Sequence, residues 1–145
     1  MATIRTTIDI AASREVIWSL LTDTARYPEW NPTVAKLEGT MAQGETVTFY
    51  PATSPGRGFK TKVVEYDPES RMVCRGGMPL GLFSGSRTFQ LGEAGRRIRF
   101  EMTEEYSGVL EGLITRTMGD QQPTFDEFAA SLKKAAEARA KRRKD

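Results

Sequence analysis

Between residues 34 and 107 the chain offers six short strand-like segments in a row, followed by helical patterning to its end. No other feature restricts the fold as much. The segments lie at about 34–41, 45–51, 58–66, 71–77, 83–91 and 96–107. Turn chemistry divides them: Gln43-Gly44, Ser54-Pro55-Gly56, Asp67-Pro68, Pro79-Leu80-Gly81 and the stretch from Gly92 to Gly95. Regular spacing with hairpin-length links predicts one antiparallel meander.

A seventh strand precedes the six. In residues 3–10 (TIRTTIDI), Ile4, Thr6, Ile8 and Ile10 share one parity, and Arg5, Thr7 and Asp9 the other. Period two over this length is a half-buried strand. Ser13 then reads as the N-cap of a short helix over 14–23. Its apolar stripe is Val16, Ile17, Leu20 and Leu21, with Trp18 at the edge. In the run TARYPEWNP, Pro28 suits the first turn of a second short helix, and Pro32 discourages continuation past Asn31. At the far end, Thr124 with Glu127 forms a capping-box pattern. Phe125, Phe128, Leu132 and Ala135 or Ala136 follow at three and four spacings. An earlier helical segment over about 110–119 should break near Pro123.

The reading is therefore an α+β chain: a seven-stranded antiparallel sheet around a long C-terminal helix, with two short helices after the first strand. An apolar sheet face needs a cover, and the long helix is the obvious one. A twisted sheet wrapped on one helix predicts a cavity between them. The 145 residues suit a single domain, and no repeat or linker divides them.

Composition removes several chemistries. There is no histidine, so His-based triads, HExxH zinc sites and imidazole shuttles are excluded. Cys74 is the only cysteine, so no intrachain disulfide or CxxC pair exists. No carboxylate cluster has metal-ligand spacing, and neither a P-loop nor a GxGxxG pattern occurs, so no metal or cofactor is expected. The Gly-rich stretch 76–85 reads instead as a mobile loop beside the cavity entrance. The N-terminal residues show no secretory pattern and no apolar run is long enough to span a bilayer, so a cytoplasmic protein is the expectation. Net charge is +2, but residues 133–145 hold seven Lys or Arg and two acids. That basic helical tail is either a solvated helix end or a surface for phosphates or anionic lipid. No aromatic residues interleave with it, so nucleic acid is not an expected partner. The oligomeric state is open, a homodimer included.

Five stretches, in order, carry a resemblance. They are SREVIWSLLTDTARYPEWNP, EGTMAQGETVTF, KVVEYDPESRMV, GLFSGSRTFQL and RIRFEMTEEYSGVL. Together they resemble the START-like (SRPBCC) helix-grip superfamily, close to its polyketide cyclase/dehydrase branch, across nearly the whole chain. The resemblance implies a helix-grip fold that binds an apolar or amphipathic small molecule between sheet and helix. In a few members it implies cyclisation or dehydration there.

Parity selects the candidate site. In RIRFEMTEEY, Ile98, Phe100, Met102, Glu104 and Tyr106 share one face. The apolar set must face the helix, and it carries Glu104 inward. One strand earlier, Phe83, Arg87, Phe89 and Leu91 share a parity, so Arg87 should point inward too. Adjacent antiparallel strands would bring Arg87 and Glu104 together as the main polar feature of the cavity. The alternatives are a structural ion pair at the rim, or a register that leaves both outside. As an enzyme, the chain would use Glu104 as base and Arg87 to stabilise negative charge. An arginine partner favours the charged carboxylate, however, and so weakens it as a base.

The same rule gives the apolar lining: Val47, Phe49, Phe59, Met72, Cys74, Phe83, Phe89, Phe100 and Met102 from the sheet. Met118, Phe125 and Phe128 join them from the helical region. These residues are either pocket wall or simply core. Trp30 either offers its ring at the cavity mouth or plugs the core. Tyr50 and Tyr106 are candidate rim hydroxyls. Cys74 faces inward, with no activating neighbour to make it a nucleophile. Binding of a small hydrophobic or amphipathic molecule is the leading expectation, and a cofactor-free cyclase or dehydratase the alternative.

Overall fold

The structure, a computed structural model, describes residues 2–144. Of the basic tail, Asp145 and the side chains of Arg143 and Lys144 lie outside the described residues. The strands are β1 (Ala2–Ile10), β2 (Val34–Gly39), β3 (Thr46–Pro51), β4 (Phe59–Asp67), β5 (Arg71–Met78), β6 (Phe83–Ala94) and β7 (Arg97–Ser107). The helices are α1 (Arg14–Thr22), α2 (Tyr27–Trp30), α3 (Glu111–Met118) and α4 (Gln122–Lys144), with a 3-10 turn at Thr24–Arg26.

The seven strands form one antiparallel sheet in the order β1-β7-β6-β5-β4-β3-β2. The six meander strands therefore pair with their sequence neighbours, and β1 closes onto β7. Register follows the parity of the apolar residues: Ile8 opposes Phe100, which opposes Leu91. A bulge between Val63 and Glu65 switches the parity of β4. It turns Val64 out and Tyr66 in, and Tyr66 then accepts a 3.2 Å hydrogen bond from Trp18 Nε1.

α4 covers the concave face. Phe125, Phe128, Ala129, Leu132 and Ala136 are at most 2% exposed. Phe128 is the centre of an aromatic cluster, within 6.2 Å (ring centroids) of Tyr27, Trp30, Phe89 and Phe100. Polar contacts pin the helix to β1. Thr6 Oγ1 donates to Asp126 Oδ1 at 2.8 Å, and Lys133 Nζ donates to the Asp9 carbonyl at 2.8 Å. Arg139 reaches Ser19 Oγ at 3.1 Å. Two cations of the predicted solvated tail are thus fastened to the domain.

Local expectations hold in most places. Ser13 caps α1, accepting from the Val16 N–H at 3.2 Å. Pro28 occupies the first turn of α2, and Asn31, preceding Pro32, is extended. Three differ. α4 starts at Gln122, not after a Thr124 cap: Asp120 Oδ1 accepts from the Gln122 N–H at 3.0 Å. Pro123 sits in that first turn, where its missing N–H costs nothing. The break from α3 is instead at Gly119, whose φ is 73°. Finally, β6 runs through Gly92 to Ala94, so only Gly95 and Arg96 make the turn to β7.

Candidate functional site

The site begins with a row of residues set side by side across the sheet. Val63, Cys74, Arg87, Glu104 and Ile4 are successive cross-strand partners on β4, β5, β6, β7 and β1. All share the inner parity. Arg87 Nε donates to Glu104 Oε2 at 2.9 Å, and the two side chains are 20% and 14% exposed. The sequence-predicted pair therefore forms, on the concave side and close to fully covered.

Arg87 is held on its faces as well. Its guanidinium lies 5.3 Å from the Phe49 ring centroid and 4.9 Å from that of Phe125. Two rings and a carboxylate fix the group's plane, and each favours the cation. Burial alone would disfavour the charge on Arg87, but Glu104 outweighs it and its pKa is raised. Only Nε is engaged: among the described residues neither Nη atom has a hydrogen-bond acceptor.

Arg87 belongs to the wall of a cavity of about 170 Å³. The cavity lies at the end of the sheet where α4 begins. Phe49, Arg87, Met102, Phe125 and Phe128 line it, joined by Pro32, Thr33, the 51–53 bend, Gln121, Thr124 and Glu127. Beside it in sequence stand two buried donors without acceptors, Trp30 Nε1 and Asn31 Nδ2. The Asn31 amide orientation follows from its oxygen, which accepts from both the N–H and the hydroxyl of Thr33 at 3.0 and 2.7 Å. The unsatisfied groups of this region are all donors. A second, wider hollow of about 520 Å³ near Ala12, Ser13, Val16, Arg96, Ile98 and Ala140 is more open and has Arg96 as its one charged side chain among the described residues.

The structure distributes the remaining sequence candidates differently. Val47, Met72, Phe89 and Phe100 are core residues, at most 4% exposed. Cys74 is buried too, and burial pushes its thiol up to about 11, so it is not a nucleophile at neutral pH. Trp30 packs on Tyr27 and Phe128, with ring centroids 4.9 and 5.8 Å apart. Phe83 stacks on Tyr106, and burial raises the Tyr106 hydroxyl above its usual range. Tyr106 is therefore covered, not at the rim. Two expectations of inward placement fail: Phe59 is 46% exposed and Met118 36% exposed. Phe59 keeps the inner parity opposite Phe49, but it stands at the strand end that α4 does not reach. Met118 ends α3, none of whose residues is buried.

Parity missed Thr33, Thr53, Gln121, Thr124 and Glu127, because these lie on loops and a helix start. The Pro32 and Pro51 bends were a usable signal. The Ala52 N–H donates to the Thr33 carbonyl at 3.0 Å and draws both segments to the mouth.

A curled antiparallel sheet gripping one long helix, with a polar pair in its concave wall, defines a helix-grip protein. Residues 1–137 match the family described as polyketide cyclase / dehydrase and lipid transport, and the chain belongs to it. No curated protein matches the chain by sequence. Solved structures share the fold at low identity. The protein MLL2253 from Mesorhizobium loti is 15% identical with a TM-score of 0.75, over 94% of this chain and 98% of that one. The Aha1 dimer from Colwellia psychrerythraea is 22% identical with a TM-score of 0.71, over 94% and 97%. The di-domain ARO/CYC StfQ of the steffimycin biosynthetic pathway is 13% identical with a TM-score of 0.68. This chain, 98% covered there, corresponds to 51% of that protein.

Proposed function

We propose that the protein binds a small amphipathic molecule in the cavity beside Arg87, with an acceptor-bearing end on the guanidinium. The observation that carries this reading is the Arg87 side chain. It is oriented by Phe49, Phe125 and Glu104, and both Nη atoms remain free for a ligand. Preorganised donors of this kind suit a carboxylate, an enolate or a ring carbonyl. The apolar wall of Phe49, Met102, Phe125 and Phe128 suits an aromatic ring or short acyl chain.

Volume sets the scale. An apolar cavity of about 150 Å³ holds a benzene-sized molecule, and drug-sized ligands need roughly 300–1,000 Å³. The space here is about 170 Å³. It favours one ring or a short acid over a fused polycycle.

A thermal-shift series tests the reading. Benzoate, salicylate and short-chain fatty acids should raise the Tm of the wild type and leave the Arg87→Met/Glu104→Leu variant unchanged. No stabilisation by any of them would overturn it.

The second reading is a cofactor-free cyclase or dehydratase using Glu104 and Arg87. Membership in the cyclase/dehydrase family favours it. Against it, Glu104 already spends an oxygen on Arg87, and the same arginine would have to stabilise an enolate. Loss of turnover in Glu104→Gln with ligand binding intact would select this reading. Unchanged turnover would remove it.

A further inference from the structure

Among the described residues, all but Val64 of the exposed large apolar side chains lie at the cavity end of the molecule. They stand on the β5–β6 hairpin, the β7–α3 connection, α3 and the start of β4. Leu80 is 94% exposed, Val109 82% and Leu113 60%. The hairpin and the connection are fastened together. The Val109 N–H donates to the Gly81 carbonyl at 3.1 Å, and the Leu110 N–H to the Leu82 carbonyl at 2.8 Å. Gly108 permits the approach: at φ 111°, a Cβ there would stand 2.6 Å from the Leu82 oxygen. The apolar tips are therefore one preformed unit.

Leu80 is held at φ 61°, in the left-handed region that favours glycine or asparagine. Local energetics would not choose a leucine there. Water would not either, since its whole side chain is presented to solvent.

On the β3–β6 side of this apolar end the charge is one-sided. Residues 46–64 carry Arg57, Lys60 and Lys62 and no acid, and residues 71–92 carry Arg71, Arg75 and Arg87 and no acid. Arg87 points inward to Glu104, and Arg71 pairs with Glu65. That leaves Arg57, Lys60, Lys62 and Arg75, all exposed, with no carboxylate partner among the described residues. Lys62 and Arg75 stand directly opposite each other on the outer face, a destabilising like-charge pair. Of the acids at this end, Glu111 and Asp120 sit on the α3 side and Glu127 at the cavity, while Glu105 is exposed on the outer face one strand beyond Arg75, opposite Ser86.

We propose that this end docks on an anionic lipid bilayer. Leu80 and Val109 enter the boundary between headgroups and acyl chains, while Arg57, Lys60, Lys62 and Arg75 lie against the phosphates. No helix among the described residues is long and apolar enough to cross a membrane, so the contact is interfacial. A second copy of the chain is a poorer occupant. A two-fold pairing would set the unpaired cations of one copy near those of the other, and protruding tips bury little area against each other. The proposal is independent of the ligand assigned to the cavity.

Flotation of the full chain with vesicles tests it, using phosphatidylcholine alone and equimolar phosphatidylcholine and phosphatidylglycerol. The wild type should float with the anionic vesicles and be released as salt is raised. Leu80→Asn, which suits the left-handed backbone, should lower binding about tenfold without lowering Tm. Lys62→Gln/Arg75→Gln should lower it about 25-fold, near fivefold per cation, and flatten the salt dependence. Absence of flotation at low salt, or equal binding by wild type and Leu80→Asn, would overturn the proposal. So would a concentration-dependent dimer that Leu80→Asn dissociates, which would assign the surface to a second copy.

Discussion

The two ends of the concave face follow the same strand parity and reach opposite outcomes. Toward the β4–β5 turn, α1 and α4 lie over the sheet, and the inward residues Ile10, Leu91 and Phe100 are at most 4% exposed. Toward the β5–β6 turn only the first turns of α4 lie over the sheet, reaching Arg87 through Phe125 and stopping short of the strand ends. There the same parity yields the Arg87–Glu104 pair, a half-buried Phe83 and an exposed Phe59. Alternation fixes direction, and the cover decides whether direction becomes core, cavity or open surface. The closed end supplies stability, which leaves the open end free to hold unsatisfied donors.

Truncation at the closed end should have the largest effect. Phe128→Ala removes the ring that meets Tyr27, Trp30, Phe89 and Phe100. It should cost about 3–5 kcal/mol in urea unfolding. A loss below about 1 kcal/mol would erase the distinction between the ends.

At the open end, Glu104→Leu alone leaves Arg87 without its charge partner. The cost should be about 3 kcal/mol, recovered in large part by adding Arg87→Met. Additive losses in that cycle would mean that the pair is not coupled.

The row that holds Arg87 and Glu104 also gives a pH effect. Cys74 titrates near 11 when folded, raised from 9.0. The native state therefore disfavours the thiolate. Its contribution is fully present below pH 9 and is lost as pH rises toward 11, by about 2 kcal/mol. Stability measured from pH 8 to 11 should fall less steeply in Cys74→Ala, and the native thiol should resist labelling at pH 8. An identical slope in the two proteins would contradict the burial of the thiol.

The smallest effect belongs to the exposed tip. Leu80→Asn relieves a left-handed leucine and should leave stability unchanged or raise it by about 0.5–1 kcal/mol. A clear loss would show that the tip is packed.

Much of this arrangement is legible in the chain. The alternation of RIRFEMTEEY and of TIRTTIDI sets strand direction and register, and with them the meeting of Arg87 and Glu104. The 125-128-132 spacing sets the face of α4. What parity cannot convey is where a helix stops covering a strand, so Phe59 and Met118 are expected inside and stand outside. Nor can it convey the bulge at Val63–Glu65, which needs the pairing partner to be seen. The cavity's polar rim at Thr33, Thr53 and Gln121 comes from segments without periodicity, and Glu127 joins it from the polar side of α4. Its assembly depends on tertiary contacts such as that between Ala52 and Thr33.

The central claim is that Arg87 receives an acceptor-bearing ligand, and its own side-chain signal tests it most directly. Titrating the protein with benzoate and, in parallel, with toluene should move the Arg87 Nε–H resonance in NMR. The account predicts a saturable shift with benzoate, a weaker response to toluene, and ring shifts at Phe49 and Phe125. Benzoate binding that leaves Arg87 unmoved, or toluene binding as tightly as benzoate, would contradict it.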